Sequence, residues 1–142
     1  MKAEVLLDTA YAIALSSPND LFHQCAVQLA NELKAAGTRL VTIRRAILLE
    51  IGNALSKRRH RRAGVMLLDS LEADPRVEII SMSEELYSRA LRLYRERPDK
   101  EWTLTDCMSF IVMEDRGISE ALTTDEHFQQ AGFHVLMQQE LK

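Results

Sequence analysis

Residues 104–117 restrict the fold of this chain more than any other stretch. Leu104–Gly117 has the length of a helix and carries Cys107, Met108, Phe110, Ile111, Val112 and Met113, so it is apolar on nearly every face. A surface helix keeps a polar side toward water, so a helix without one belongs in the middle of a layered domain. Thr103 precedes it and Asp106 follows three residues later, a capping-box pattern that sets where the helix begins. Gly117 marks its end, and Glu120–Thr124 reads as a short strand with Asp125 just beyond it.

The rest of the chain supplies more strands of the same kind. Val5-Leu6-Leu7 is a buried first strand ending at Asp8-Thr9, with a short helix over Ala10–Leu15. His23–Ala36 has helical spacing and stops at Gly37, and Arg39–Ile43 is the second strand. A helix over Arg44–Lys57 buries Ile47, Leu48, Ile51, Ala54 and Leu55; a basic run follows, then a helix from about Ala63 to Ala73 and a third strand at Val77–Ile80. Ser83 caps a helix reaching about Arg97, and a short helix near Glu126–Ala131 leads to a last strand around Phe133–Met137. This alternation predicts an α/β domain with a mostly parallel sheet of about five strands. A chain of 142 residues suits one domain, residues 1–142.

Composition excludes more than it selects. Hydrophobic content of 46%, charged content of 27% and a net charge of −3 give no global preference for nucleic acid or membrane. Asp8 interrupts the apolar run Ala3–Leu15, against a signal peptide, and no stretch approaches the ~20 apolar residues of a membrane span. Cys25 and Cys107 lie far apart with no metal-ligand spacing, which suits a reduced, cytoplasmic setting.

Four carboxylates then stand out. Asp8 and Asp125 follow strands, and Asp106 opens the central helix. These positions face the sheet edge where strand C-termini end, the edge at which α/β folds bind ligands. Each Asp taken alone is explained equally well as a helix cap. Glu50 lies on the flank of its helix's apolar stripe, with no base three or four residues away. Together they form a pattern. Like charges about 4 Å apart repel by roughly 4 kcal/mol at an effective dielectric of 20, so such a cluster needs a cation or bound protons. Oxygen donors without His or Cys favour Mg²⁺ or Mn²⁺ over zinc.

The motifs Val5-Leu6-Leu7-Asp8-Thr9, Glu50-Ile51-Gly52-Asn53-Ala54-Leu55, Trp102-Thr103-Leu104-Thr105-Asp106-Cys107 with Ser109-Phe110, and Leu122-Thr123-Thr124-Asp125 with His127-Phe128 resemble the four acidic motifs of PIN-domain nucleases. The VapC-like group, many of whose members are ribonuclease toxins of toxin–antitoxin pairs, is the most similar in flavour. The resemblance implies a three-layer α/β/α fold and RNA hydrolysis that depends on Mg²⁺ or Mn²⁺. It implies a catalytic and metal-binding set of Asp8, Glu50, Asp106 and Asp125, with Thr9, Ser109 and Thr124 as supporting hydroxyls and Asp99 as a possible outer acid. A cognate antitoxin and a homodimer are also implied. The run Lys57–Arg62 holds Arg58, Arg59, Arg61 and Arg62, which read as RNA phosphate contacts, as a solvated helix junction, or as a surface matched to an acidic partner segment.

Two other strand-end-Asp families do not fit. A haloacid-dehalogenase-type phosphatase wants an acid two residues after Asp8, where Ala10 stands, and a response-regulator receiver wants an Asp after the third strand, where Ile80-Ser81-Met82 offers none. The aromatics show no interleaving that would make a stacking platform. The alternative from another class is a non-catalytic PIN-fold module that binds RNA or protein.

Overall fold

The computed structural model describes residues 3–138. Among the described residues, five strands and seven helices follow in the order β1 (Glu4–Leu7), α1 (Thr9–Ser16), α2 (His23–Ala36), β2 (Arg39–Ile43), α3 (Ala46–Ala54), α4 (Arg58–Ala73), β3 (Val77–Ile80), α5 (Glu84–Glu96), α6 (Leu104–Arg116), β4 (Glu120–Leu122), α7 (Glu126–Gln130) and β5 (His134–Val135). The sheet order is β3-β2-β1-β4-β5, and every pairing is parallel, so the expected mostly parallel sheet is wholly so. β1 is the central strand, and its apolar run Val5-Leu6-Leu7 is buried, as a strand covered by helices on both faces must be.

The strand order places the site. From β1 the chain moves through β2 to β3 on one side, then returns to lay β4 against the opposite side of β1. The order therefore reverses between β1 and β4. At such a switch point the connections leave in opposite directions and open a crevice beyond the strand C-termini. Asp8 follows β1 and Asp125 follows β4, so one carboxylate stands on each side of it.

α6 is the buried helix that its sequence requires. Asp106 through Phe110, Val112 and Met113 are all buried, and α5 packs along it. Phe110 joins it to its surroundings through edge-on contacts with Trp102 at 5.1 Å and Phe128 at 5.0 Å. The helix ends at Gly117, whose φ of 68° is left-handed and lets its N–H reach the carbonyls of Met113 and Glu114. Neither cysteine is in a disulfide.

Three boundaries differ from the sequence expectation. β4 stops at Leu122 rather than Thr124, because the next side chain, Thr123, takes up bonds to Asp8 and to the Asp125 N–H. The expected Arg44–Lys57 helix is shortened to α3, entered through a tight turn in which Ala46 N–H bonds Arg44 C=O at 2.9 Å and Arg45 has a φ of 71°. The basic run is not a junction between helices: Arg58–Arg62 form the first turns of α4. Positive charge there opposes the helix dipole, so packing farther along holds the helix, through Gly64, Leu67 and Leu71. An ideal Cβ on Gly64 would lie 3.0 Å from Leu55 Cβ, which shows how closely α4 approaches the end of α3.

Candidate active site

The chain leaves β1 extended at Asp8 (φ −104°, ψ 162°), and the Asp8 side chain makes no capping bond to α1. It turns instead to the next strand's loop, where the Thr123 hydroxyl donates to it at 2.8 Å. Burial pushes the Asp8 carboxyl up to about 6; the Thr123 bond opposes the rise, and the charges of Glu50 and Asp106 add to it.

Glu50 comes from α3 at an exposed position, and its Oε1 accepts from the Thr9 hydroxyl at 3.0 Å. Partial burial holds its carboxyl above the usual range, helped by the charges of Asp106 and Asp125 and opposed by the Thr9 bond. The bond ties the first turn of α1 to α3.

Asp106 is buried at the start of α6, and both halves of the capping box are formed. Its own N–H donates to Thr103 Oγ1 at 3.0 Å, and its Oδ2 accepts from Thr103 N–H at 3.0 Å. The same Oδ2 lies 3.0 Å from His127 Nδ1. Asp125 caps α7, accepting from His127 N–H at 2.9 Å, and its Oδ1 is 3.3 Å from His127 Nδ1. One potential ligand atom from each of Asp106, Asp125 and His127 falls within 4.8 Å of the others. Burial lowers the basicity of His127, but the bond to Asp106 and the charges of Asp125 and Asp106 outweigh it, and the imidazole is easier to protonate than usual.

Two contributors were not singled out from the sequence. Thr123 holds Asp8 and accepts from the Asp125 N–H at 3.1 Å, whereas Thr124 is exposed. His127 bridges two acids. Both stand in the fourth acidic motif, a hydroxyl two residues before Asp125 and a ring two residues after it, but nothing in the sequence assigned either a partner. Of the expected hydroxyls, Thr9 reaches a carboxylate, and Ser109 Oγ is buried one turn after Asp106 with no hydrogen-bond partner. Asp99 is exposed and held by Arg97 at 3.0 and 3.1 Å, which keeps its carboxyl below the usual range. Arg58, Arg59, Arg61 and Arg62 are exposed; the guanidinium of Arg61 bonds the Ser56 carbonyl at 3.0 and 2.7 Å.

Among the described residues, no Lys or Arg forms an ion pair with Asp8, Glu50, Asp106 or Asp125. Acids whose charges raise the proton affinity of Asp8 and Glu50, with no Lys or Arg paired to them, fit a divalent ion. His127 sets one nitrogen among these oxygens, and its Nδ1 is the atom that faces Asp106 Oδ2 at 3.0 Å. Imidazole also suits zinc and iron, so the preference for Mg²⁺ or Mn²⁺ rests on the majority of carboxylate oxygens.

A parallel sheet with this switch point and acidic crevice defines a class, and the chain matches the PIN domain over residues 5–134. It belongs to the PIN domain family. Among individual proteins, it is 26% identical over 129 residues to the 23S rRNA-specific endonuclease VapC20 of Mycobacterium tuberculosis, a match covering 91% of this chain and 95% of that one. The crystal structure of that VapC20, described as a Sarcin-Ricin loop cleaving toxin, superposes with a TM-score of 0.79 at 25% identity, covering 91% of this chain and 95% of the other. The fold is shared with VapBC2 of Rickettsia felis (TM-score 0.68, 16% identity, 93% and 96% covered). It is also shared with FitAcB of Neisseria gonorrhoeae (TM-score 0.63, 19% identity, 92% and 95% covered).

Proposed function

We propose that this chain is a Mg²⁺- or Mn²⁺-dependent endoribonuclease that hydrolyses RNA phosphodiester bonds, and that it is the toxin of a type II toxin–antitoxin pair. The observation that carries this reading is the crevice of Asp8, Glu50, Asp106 and Asp125 at the switch point of a PIN-family sheet, with no Lys or Arg paired to it among the described residues. Similarity to a 23S rRNA-specific endonuclease supports RNA as the substrate.

In this reading Asp8, Asp106 and Asp125 hold the ion, and Glu50 sits at the exposed side. The ion, when bound, supplies Lewis-acid activation of water and charge stabilisation at the phosphate. Thr123 fixes Asp8, Thr103 and His127 fix Asp106, and Thr9 fixes Glu50. Such bonds matter because a carboxylate that swings by an ångström no longer matches the reacting geometry. With its raised proton affinity, Glu50 suits taking a proton from the attacking water. Arg58, Arg59, Arg61 and Arg62 supply phosphate contacts that carry no sequence information.

Residues 1–142 act as one domain in this proposal, working in the cytoplasm as a homodimer. The VapC-like resemblance supports an antitoxin partner, and exposed Leu49, Val65 and Met66 on α3 and α4 offer apolar area for a protein to cover. Among the described residues, no helix is long and apolar enough to cross a membrane.

The test is cleavage of RNA by purified protein with Mn²⁺, Mg²⁺ or EDTA, beside Asp8→Asn. Cleavage should require the metal and fall by about 100-fold or more in the variant. Equal cleavage by both proteins, or none in any metal, removes the nuclease reading.

A further inference from the structure

Beside the carboxylate crevice lies a second concavity of about 800 Å³, running between the end of α5 and the start of α6. That volume suits a ligand of nucleotide size. Its walls carry Tyr94, Arg95, Arg97, Lys100, Trp102 and Thr103. Thr103 is also the residue whose N–H and hydroxyl hold Asp106, so this groove and the acidic crevice share a wall.

The groove is built rather than incidental. Trp102 is buried, stacks edge-on against Phe110, and donates its indole N–H to Gln130 Oε1 at 3.1 Å on α7. The Arg97 guanidinium lies over its ring at 5.0 Å and is gripped by Asp99. Tyr94 is 50% exposed. Arg95 and Lys100 form no ion pair among the described residues, and they outnumber Glu101, the one acid that lines the groove. An aromatic face and a held guanidinium plane are what an unpaired base stacks on, and two unpaired cations are what the backbone beside it needs.

We propose that this groove binds the single-stranded nucleotide next to the scissile phosphate, stacking its base on Tyr94 and drawing its phosphate to Arg95 and Lys100. The proposal rests on the reading of the chain as an RNA-cutting enzyme and adds where the substrate strand runs. The strand passes over Thr103, which brings its backbone to Asp106.

The experiment measures binding without cleavage. A labelled single-stranded oligoribonucleotide is titrated with Asp8→Asn protein in EDTA, by fluorescence anisotropy at several salt concentrations, alone and combined with groove variants. Tyr94→Ala should weaken binding about tenfold while Tyr94→Phe, which keeps the ring face, leaves it unchanged. Arg95→Ala with Lys100→Ala should weaken binding and flatten the salt slope by about 0.7, the share of the one single-strand phosphate that they contact. Unchanged affinity in Tyr94→Ala, an unchanged salt slope, or no RNA binding by the Asp8→Asn parent overturns the proposal; a protein ligand would then be the better occupant. Because no hydrolysis is read, a failure of cleavage in the separate assay leaves this result interpretable.

Discussion

At the scale of single residues, Asp8 concentrates the electrostatics of the crevice. Its carboxyl is raised from 3.8 to about 6, first by burial and then by neighbouring charge. A raised folded-state value means that the folded protein binds the proton more tightly than the unfolded chain does. The stability this contributes is complete below pH 3.8 and is lost as pH rises through about 6. In metal-free protein, Asp8→Asn should therefore be more stable than the parent at pH 7.5, by on the order of 3 kcal/mol. The difference should vanish near pH 4. Urea unfolding at the two pH values reads it, and equal stability at both would mean that Asp8 is well solvated in the fold. The Asn side chain keeps an oxygen for the Thr123 hydroxyl, so the comparison isolates charge.

At the scale of elements, the start of α6 has two duties. The capping box closes the helix N-terminus and fixes Asp106, so a change at Thr103 acts on stability and on the site together. Thr103→Ala removes the hydroxyl that the Asp106 N–H bonds and should lower stability by about 1 kcal/mol. It should also lower the cleavage rate at saturating substrate more than it weakens RNA binding, because the Asp106 backbone loses its anchor and the helix end that carries the carboxylate shifts, even though the Thr103 N–H still bonds Asp106 Oδ2. Thr103→Ser keeps the bond and should restore both. A stability loss with an unchanged rate would make the cap purely structural and leave the orientation of Asp106 to His127. The shortening of β4 and of α3 belongs to this scale too. Local sequence favours longer elements, but Thr123 and the Arg45 turn redirect the backbone where the crevice opens.

For the whole molecule, the site joins parts of the chain that share nothing locally: Asp8 from β1, Glu50 from α3, Asp106 from α6, and Asp125 and His127 around α7. An ion bound among them would couple those elements, so Mn²⁺ should raise the melting temperature of the parent. At 100 times its dissociation constant a ligand adds about 2.7 kcal/mol, or about 5–10 °C for a domain of this size. Asp106→Asn should abolish most of that shift, and the absence of a shift in the parent would remove the metal from the proposal. The sequence alone determined the buried α6, the strand runs in their succession along the chain, and the acids at strand ends, because burial pattern, capping and strand punctuation are local properties of the chain. The likeness of its four acidic motifs to the PIN family was legible for the same reason. Only the tertiary structure decided which side chains meet. It moved the basic run into α4, tied Asp99 to Arg97, joined Asp8 to Thr123, and set His127 between two acids. Those pairings follow from how strands align and helices pack across a hundred residues, and no local pattern encodes such distances.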